Sequence, residues 1–235
     1  MNIIDILILT IIGVSVVFGM YRGFISGVLS VAALIGAAAL ALMTSGDLAA
    51  WLKGNETLVE TLMYYTDAGS RVSNLDLSLM SVAQVSDGTL SQILQSAHLP
   101  AAFESAFVSA VEAASASMTA GAMTIAELLS QTIVGVSISI LSFLICFFLA
   151  YLVATFVIHL VGYVFELPVL RHLDSLIGGA FGFVRGVLLV FIVFALIPIV
   201  LAVAPVQMIE DMIAASKLAP MFDSQLILSI LRNGI

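Results

Sequence analysis

Apolar residues run almost unbroken through four stretches of the chain, Ile3 to Met20, Phe24 to Met43, Ile133 to Phe165 and Leu176 to Ala204. Crossing a hydrocarbon layer of roughly 30 Å takes about 20 helical residues at about 1.5 Å rise each. Each run meets that length, so the pattern predicts four transmembrane helices. A tight turn at Arg22 joins the first two, and a short connection carrying Arg171 and His172 joins the last two. The expected fold is all-α, a polytopic membrane protein of two helical hairpins.

Between the hairpins the pattern changes. Residues Thr44 to Gln131 are more polar, and their apolar positions recur at helical spacing: Leu90, Ile93, Leu94 and Ala97, then, after Pro100, Phe103, Phe107, Val108 and Val111. Short amphipathic helices are expected there, lying on the bilayer or on one another. A solvated spacer rich in Ala and Ser is the alternative for a stretch as plain as Ala113 to Ala126. From Pro205 the tail is again amphipathic, with Met208, Met212 and Ile213, then Leu226, Ile227, Ile230 and Leu231, but Pro220 and its charges keep it from spanning. It is expected to lie at the interface. The chain thus divides into residues 1–43, 44–131, 132–204 and 205–235.

Composition sharpens the class. The 235 residues are 62% hydrophobic and 9% charged, with a mean hydropathy of +1.22, whereas soluble domains run near half apolar and a quarter charged. The first basic residue, Arg22, follows the first apolar run, and Asp5 makes the start of that run acidic, so it reads as a retained helix and not as a secretion signal. Acidic residues dominate the excursion, which gives no footing for nucleic acid. Arg22, Arg171 and His172 in the short connections place those connections in the cytoplasm. Both termini and residues 44–131 would then be extracytoplasmic.

Candidate chemistry is sparse. Cys146 stands alone, and His98, His159 and His172 have no metal-site spacing to one another or to a carboxylate. Neither a nucleophile elbow nor a phosphate-binding loop is present, so no enzyme activity, cofactor or metal is expected. Pro198 is expected to kink the fourth span.

One motif recurs. GMYRG (Gly19 to Gly23) and GFVRG (Gly182 to Gly186) share a frame, and the glycines extend to Gly19, Gly23 and Gly27 in one copy and Gly178, Gly182 and Gly186 in the other. Glycines four apart line one helix face and admit another backbone closely, which is how helices associate in lipid. The two copies read as a glycine zipper within a weak internal repeat, each at the cytoplasmic start of an outward-running helix, and as faces through which copies of the chain self-associate. Arg22 reaches the headgroups from its turn. Arg185 lies deeper, so either Asp174 to Val184 form a half-buried segment or Arg185 is embedded and paired. Asp174 is about 16 Å away along the helix, too far for a direct pair. Glu166, carbonyls near the glycines and phospholipid phosphates are the remaining partners.

These residues resemble a known family. Asp5, the Arg22-Gly23 turn, LPVLRHLDSLIGGAFGFVRGVLLVF from Leu167 to Phe191, and SKLAP from Ser216 to Pro220 are similar to the bacterial colicin V production protein (CvpA) family, with Asp174, Gly178, Gly182, Arg185 and Gly186 in its most recognisable segment. The resemblance covers both ends of the chain and not residues 44–131. It implies an inner-membrane protein of about four spans that supports production or export of a peptide toxin and envelope homeostasis. Its expected partners are the lipid bilayer and a second copy or another membrane protein. The other function in view is a small-solute transporter or oligomeric channel with Arg22 and Arg185 near its pathway.

Overall fold

The computed structural model describes residues 2–66, 72, 75–97, 99, 101–116, 123–162, 171–198, 201 and 207–222. Among them every named element is helical: α1 (Ile3–Lys53), α2 (Glu56–Thr66), α3 (Leu75–Ser78), α4 (Asp87–Ala97), α5 (Ala101–Ser115), α6 (Ile125–Gly162), α7 (Arg171–Phe194) and α8 (Gln207–Ala214). Two 3₁₀ turns, Val82–Gln84 and Ala219–Phe222, are also present, and residues 197, 198 and 201 are helical as well. α1, α6 and α7 are long and apolar enough to cross a membrane. Many of their large apolar side chains face outward, among them Val14, Val17, Phe18, Phe148, Leu149, Leu152, Phe156 and Phe183. A chain with such surfaces needs lipid around it.

Local signals set the helix starts. Asn55 accepts the Leu58 N–H at 3.2 Å and begins α2, Ser86 accepts the Thr89 N–H at 3.4 Å beside α4, and Thr124 accepts the Glu127 N–H at 3.3 Å at the head of α6. Each occupies the N-cap position, where a short polar side chain replaces a missing helical carbonyl.

The chain divides into two compact units, and both α1 and α6 contribute to each. One comprises residues 47–141 and 198–205. Its core joins Val82, Ile93, Ala97, Phe103, Phe107 and Val111 to Ile125, Leu128, Leu129 and Ile133. The amphipathic faces of α4 and α5 therefore pack on each other and on the first turns of α6. A short bridge between Ser81 and Thr124, with the Val82 N–H on the Met123 carbonyl and the Ile125 N–H on the Met80 carbonyl, both at 3.0 Å, holds that junction.

The other unit comprises residues 1–46, 142–197 and 206–235. Leu34, Ala37 and Ala41 of α1 meet Phe143 and Phe147 of α6 and, around them, Leu188, Leu189 and Ile192 of α7. Cys146 lies half-buried at this cluster. A second cluster joins Ile8 to Val190, Phe194, Ala219 and Phe222. The tail from α8 to Phe222 is therefore docked on α1 and α7. Positions 226 to 231 lie outside the described residues.

The fourth run is broken where Pro198 is expected to kink it. α7 ends at Phe194 and helix resumes at residues 197 and 198, because the ring of Pro198 collides with the carbonyl four residues back and offers it no N–H. The last turn tightens instead, with the Leu196 N–H on the Val193 carbonyl at 3.1 Å. Pro198→Ala is expected to close this break, read as increased backbone amide protection at residues 195–198.

Candidate functional site

Gly23 is the hinge of the unit that holds residues 1–46. Its φ of 81° and ψ of 179° interrupt α1, a conformation that glycine adopts without the penalty a Cβ brings. Glycines on either side of this break meet the same stretch of α7. A Cβ on Gly19 would lie 2.9 Å from the Gly182 Cα, and one on Gly27 would lie 3.5 Å from the Gly178 Cα and 3.0 Å from the Phe181 Cβ. In a continuous helix residues 19 and 27 would stand about 12 Å apart along the axis. The backbone therefore folds back at Gly23, and residues 3–22 and 24–53 form two arms, both laid on α7.

A break in a helix strands N–H groups of the turn after it and carbonyls of the turn before it. In an unbroken α1 the Phe24 N–H would bond the Met20 carbonyl. Two neighbouring residues of α7 take their places: Asp174 Oδ1 accepts the Phe24 N–H at 2.7 Å, and the Ser175 hydroxyl donates to the Met20 carbonyl at 3.0 Å. Asp174 thus caps the second arm from another helix, with the added benefit of a carboxylate at a helix N-terminus. A side chain on Gly23 would strike this carboxylate. Asp174→Ala is expected to cost about 1–2 kcal/mol of stability, and Ser175→Ala less, both read as thermal unfolding of the purified protein in detergent.

The glycine faces mate within one chain. Along the first arm, a Cβ on Gly178 would lie 2.8 Å from the Gly23 carbonyl carbon, one on Gly182 3.0 Å from the Val16 Cα, and one on Gly186 2.9 Å from the Ile12 Cα. Backbone lies against backbone, leaving no room for a side chain. This corrects the expected self-association through these faces: Gly19, Gly23 and Gly27 are covered by Gly178, Gly182 and neighbouring residues of the same molecule. It also corrects the expected equivalence of the two motifs. GMYRG sits at a reversal, whereas GFVRG lies inside the continuous α7, where its glycines receive the first arm.

The arginines part company accordingly. Arg22 is exposed at the reversal, its guanidinium carbon 5.7 Å from the centre of the Phe18 ring, a stacking that suits a cation near the polar boundary. Arg185 is half-buried, and its Nε is buried without a hydrogen-bond partner. Glu166, a partner the sequence offers for it, and the side chains of His98, His159 and His172 lie outside the described residues. Among the described residues no group of three or more His, Cys, Asp and Glu side chains is placed to hold a metal ion.

The start of α1 meets the tail segment at Asp5. Its side chain is 2% exposed; Oδ1 accepts from the Ser216 hydroxyl at 2.6 Å and from the Lys217 and Leu218 N–H groups at 3.1 Å, and Oδ2 from the Asn2 N–H at 3.0 Å. Ser216 in turn accepts the Ala219 N–H at 3.0 Å and starts the final 3₁₀ turn. The Asn2 side-chain amide also donates to the Met212 carbonyl. Spacing within the sequence contains no sign of these contacts, nor of the role of Ser175; the only local signal is a serine beside Asp174 and another heading the tail turn.

Long apolar helices, a chain reversal built on glycine and backbone-to-backbone packing define a multi-pass helical membrane protein. No curated protein and no solved structure gives a significant match to the chain. The family model described as Colicin V production protein matches residues 4–94 and 87–226, and the chain belongs to that family. The two matched segments meet within α4 and run through residues 44–131, so the likeness extends across the excursion as well as the ends.

Proposed function

We propose that this protein is a non-enzymatic scaffold of the inner membrane, crossing it four times and supporting peptide-toxin production or export, or envelope homeostasis. In this reading the two arms of α1 each cross the bilayer, as do α6 and α7. The reversal at Arg22 and Gly23 is cytoplasmic, and the termini and residues 44–131 are outside. The observation that supports it best is the joint of α1 with α7. Backbone contacts, the Asp174 cap and the docked tail make a rigid, pre-formed unit, which is what a platform for other membrane proteins requires.

Topology is tested by single cysteines in a Cys146→Ser background. Tyr21, 91% exposed, is expected to be labelled by an impermeant maleimide only from the cytoplasmic face, and Thr57 only from the outer face. Function is tested in a toxin-producing strain lacking the gene. Release of the toxin is expected to fall and to be restored by the wild type but not by Gly182→Leu; undiminished release without the gene would overturn the toxin-related role.

Transport past Arg22 and Arg185 is the second reading. It draws on the unpartnered Nε of Arg185; Arg22, exposed at the reversal, gives it little support.

A further inference from the structure

The register of α1 against α7 fixes the level of Arg185. Gly178 lies against Gly19 and Gly23, Gly182 against Ser15 and Val16, and Gly186 against Ile12 and Ser15, while Ile8 shares a cluster with Val190 and Phe194. Arg185 therefore stands level with the middle of an arm of roughly 20 residues, an arm about 30 Å long. It also stands about 16 Å along the axis from Asp174, which marks the reversal. This is deeper than an arginine side chain reaches from the membrane surface, so a lipid-anchor role does not suit it.

Two buried polar groups without partners occur at this level on facing helices. One is the Nε–H of Arg185; the other is the hydroxyl of Ser15, whose Cβ would be 3.1 Å from a Cβ on Gly186, the residue after Arg185. Among the described residues the guanidinium makes no ion pair or hydrogen bond. The two carboxylates nearest along these helices are engaged elsewhere, Asp174 with the Phe24 N–H and Asp5 with the tail. A cation at mid-depth is costly to bury and marks a functional position. Buried donors that have no acceptor call for one.

We infer that Arg185 and Ser15 form a mid-depth site for an oxyanion, a phosphate or a carboxylate. A planar guanidinium binds either through paired, charge-assisted hydrogen bonds, and the serine hydroxyl adds a third donor from the facing arm. The depth assigned to the site rests on the four-crossing reading, which the Tyr21 labelling tests separately.

The test uses the full chain purified in an uncharged maltoside detergent, with dodecyl phosphate and inorganic phosphate as probes. Dodecyl phosphate is expected to raise the unfolding temperature of the wild type. Its binding should weaken roughly tenfold or more in Arg185→Gln and less in Ser15→Ala, with Arg185→Lys in between. A response to inorganic phosphate as well assigns a water-borne ligand, and a response to dodecyl phosphate alone assigns a lipid-borne one; either upholds the site. Without probe, Arg185→Gln is expected to unfold at the wild-type temperature or above, because an unpaired charge has been removed. Equal shifts in wild type and Arg185→Gln, no shift with either probe, or a probe-free loss of stability in Arg185→Gln would overturn it, the last by revealing a partner within the protein.

Discussion

Gly182→Ala is expected to destabilise the protein by about 3 kcal/mol, while Gly13→Ala stabilises it by up to about 1 kcal/mol. The two substitutions add the same methyl group to the interior of a helix, where alanine is favoured over glycine by about that margin. Gly13 has nothing within 4 Å of the new Cβ, so only the propensity gain remains. At Gly182 the methyl would lie 3.0 Å from the Val16 Cα and 3.2 Å from the Gly19 Cα. Main chain cannot rotate aside as the end of a side chain can, so the helices must separate. Overpacking of this kind costs about 1–3 kcal/mol, and the loosened packing on either side adds to it. Leucine at 182 should prevent assembly of the joint altogether. Unfolding temperatures of the three proteins in one detergent give the comparison, and equal behaviour of the two alanine variants would refute the close packing.

Asp5→Ala is expected to release the tail, at a cost of about 3 kcal/mol or more. The carboxylate is 2% exposed and satisfies three backbone N–H groups and one hydroxyl. Its removal leaves several donors without an acceptor, and each hydrogen bond to a charged group contributes about 1.5–3 kcal/mol, though the contributions do not add simply. Ala219 and Phe222 would then leave Ile8, Val190 and Phe194. Limited proteolysis near Lys217 should be much faster in the variant than in the wild type. Asp5→Asn should fall between, since the amide keeps one acceptor oxygen and loses the charge.

What is legible in the sequence follows from the physics of each signal. A bilayer demands long apolar helices, so hydropathy locates α1, α6 and α7 and the reversal between the first two runs. Helical periodicity likewise exposes the apolar faces of α4 and α5. The glycine spacing reveals close-packed faces but not what they pack against, because a missing side chain carries no mark of its partner. The two faces prove to be each other's partners. Asp174 is too far along the helix to pair with Arg185, and its partner is a backbone N–H freed by the break at Gly23. Any residue presents that group, so sequence cannot single it out. Asp5 and SKLAP are both visible as parts of a resemblance, but their contact joins residues 211 positions apart. Pro198 is legible as a breaker, and the helix is interrupted just before it, at residues 195 and 196.

The joint of α1 with α7 underlies the topology, the platform and the depth of Arg185. Two cysteine pairs in a Cys146→Ser background test it most directly: Gly27→Cys with Phe181→Cys, whose Cβ atoms would be 3.0 Å apart, and Ser15→Cys with Gly186→Cys, at 3.1 Å. A disulfide needs Cβ atoms about 3.5–4.5 Å apart, which a shift of a few tenths of an ångström supplies. Oxidised in native membranes, each pair is expected to close within one chain and to run as a monomer whose fragments stay joined after proteolysis between the two positions. Disulfides that form only between chains, or closure of one pair and not the other, would contradict a helix that folds back on α7 within a single molecule.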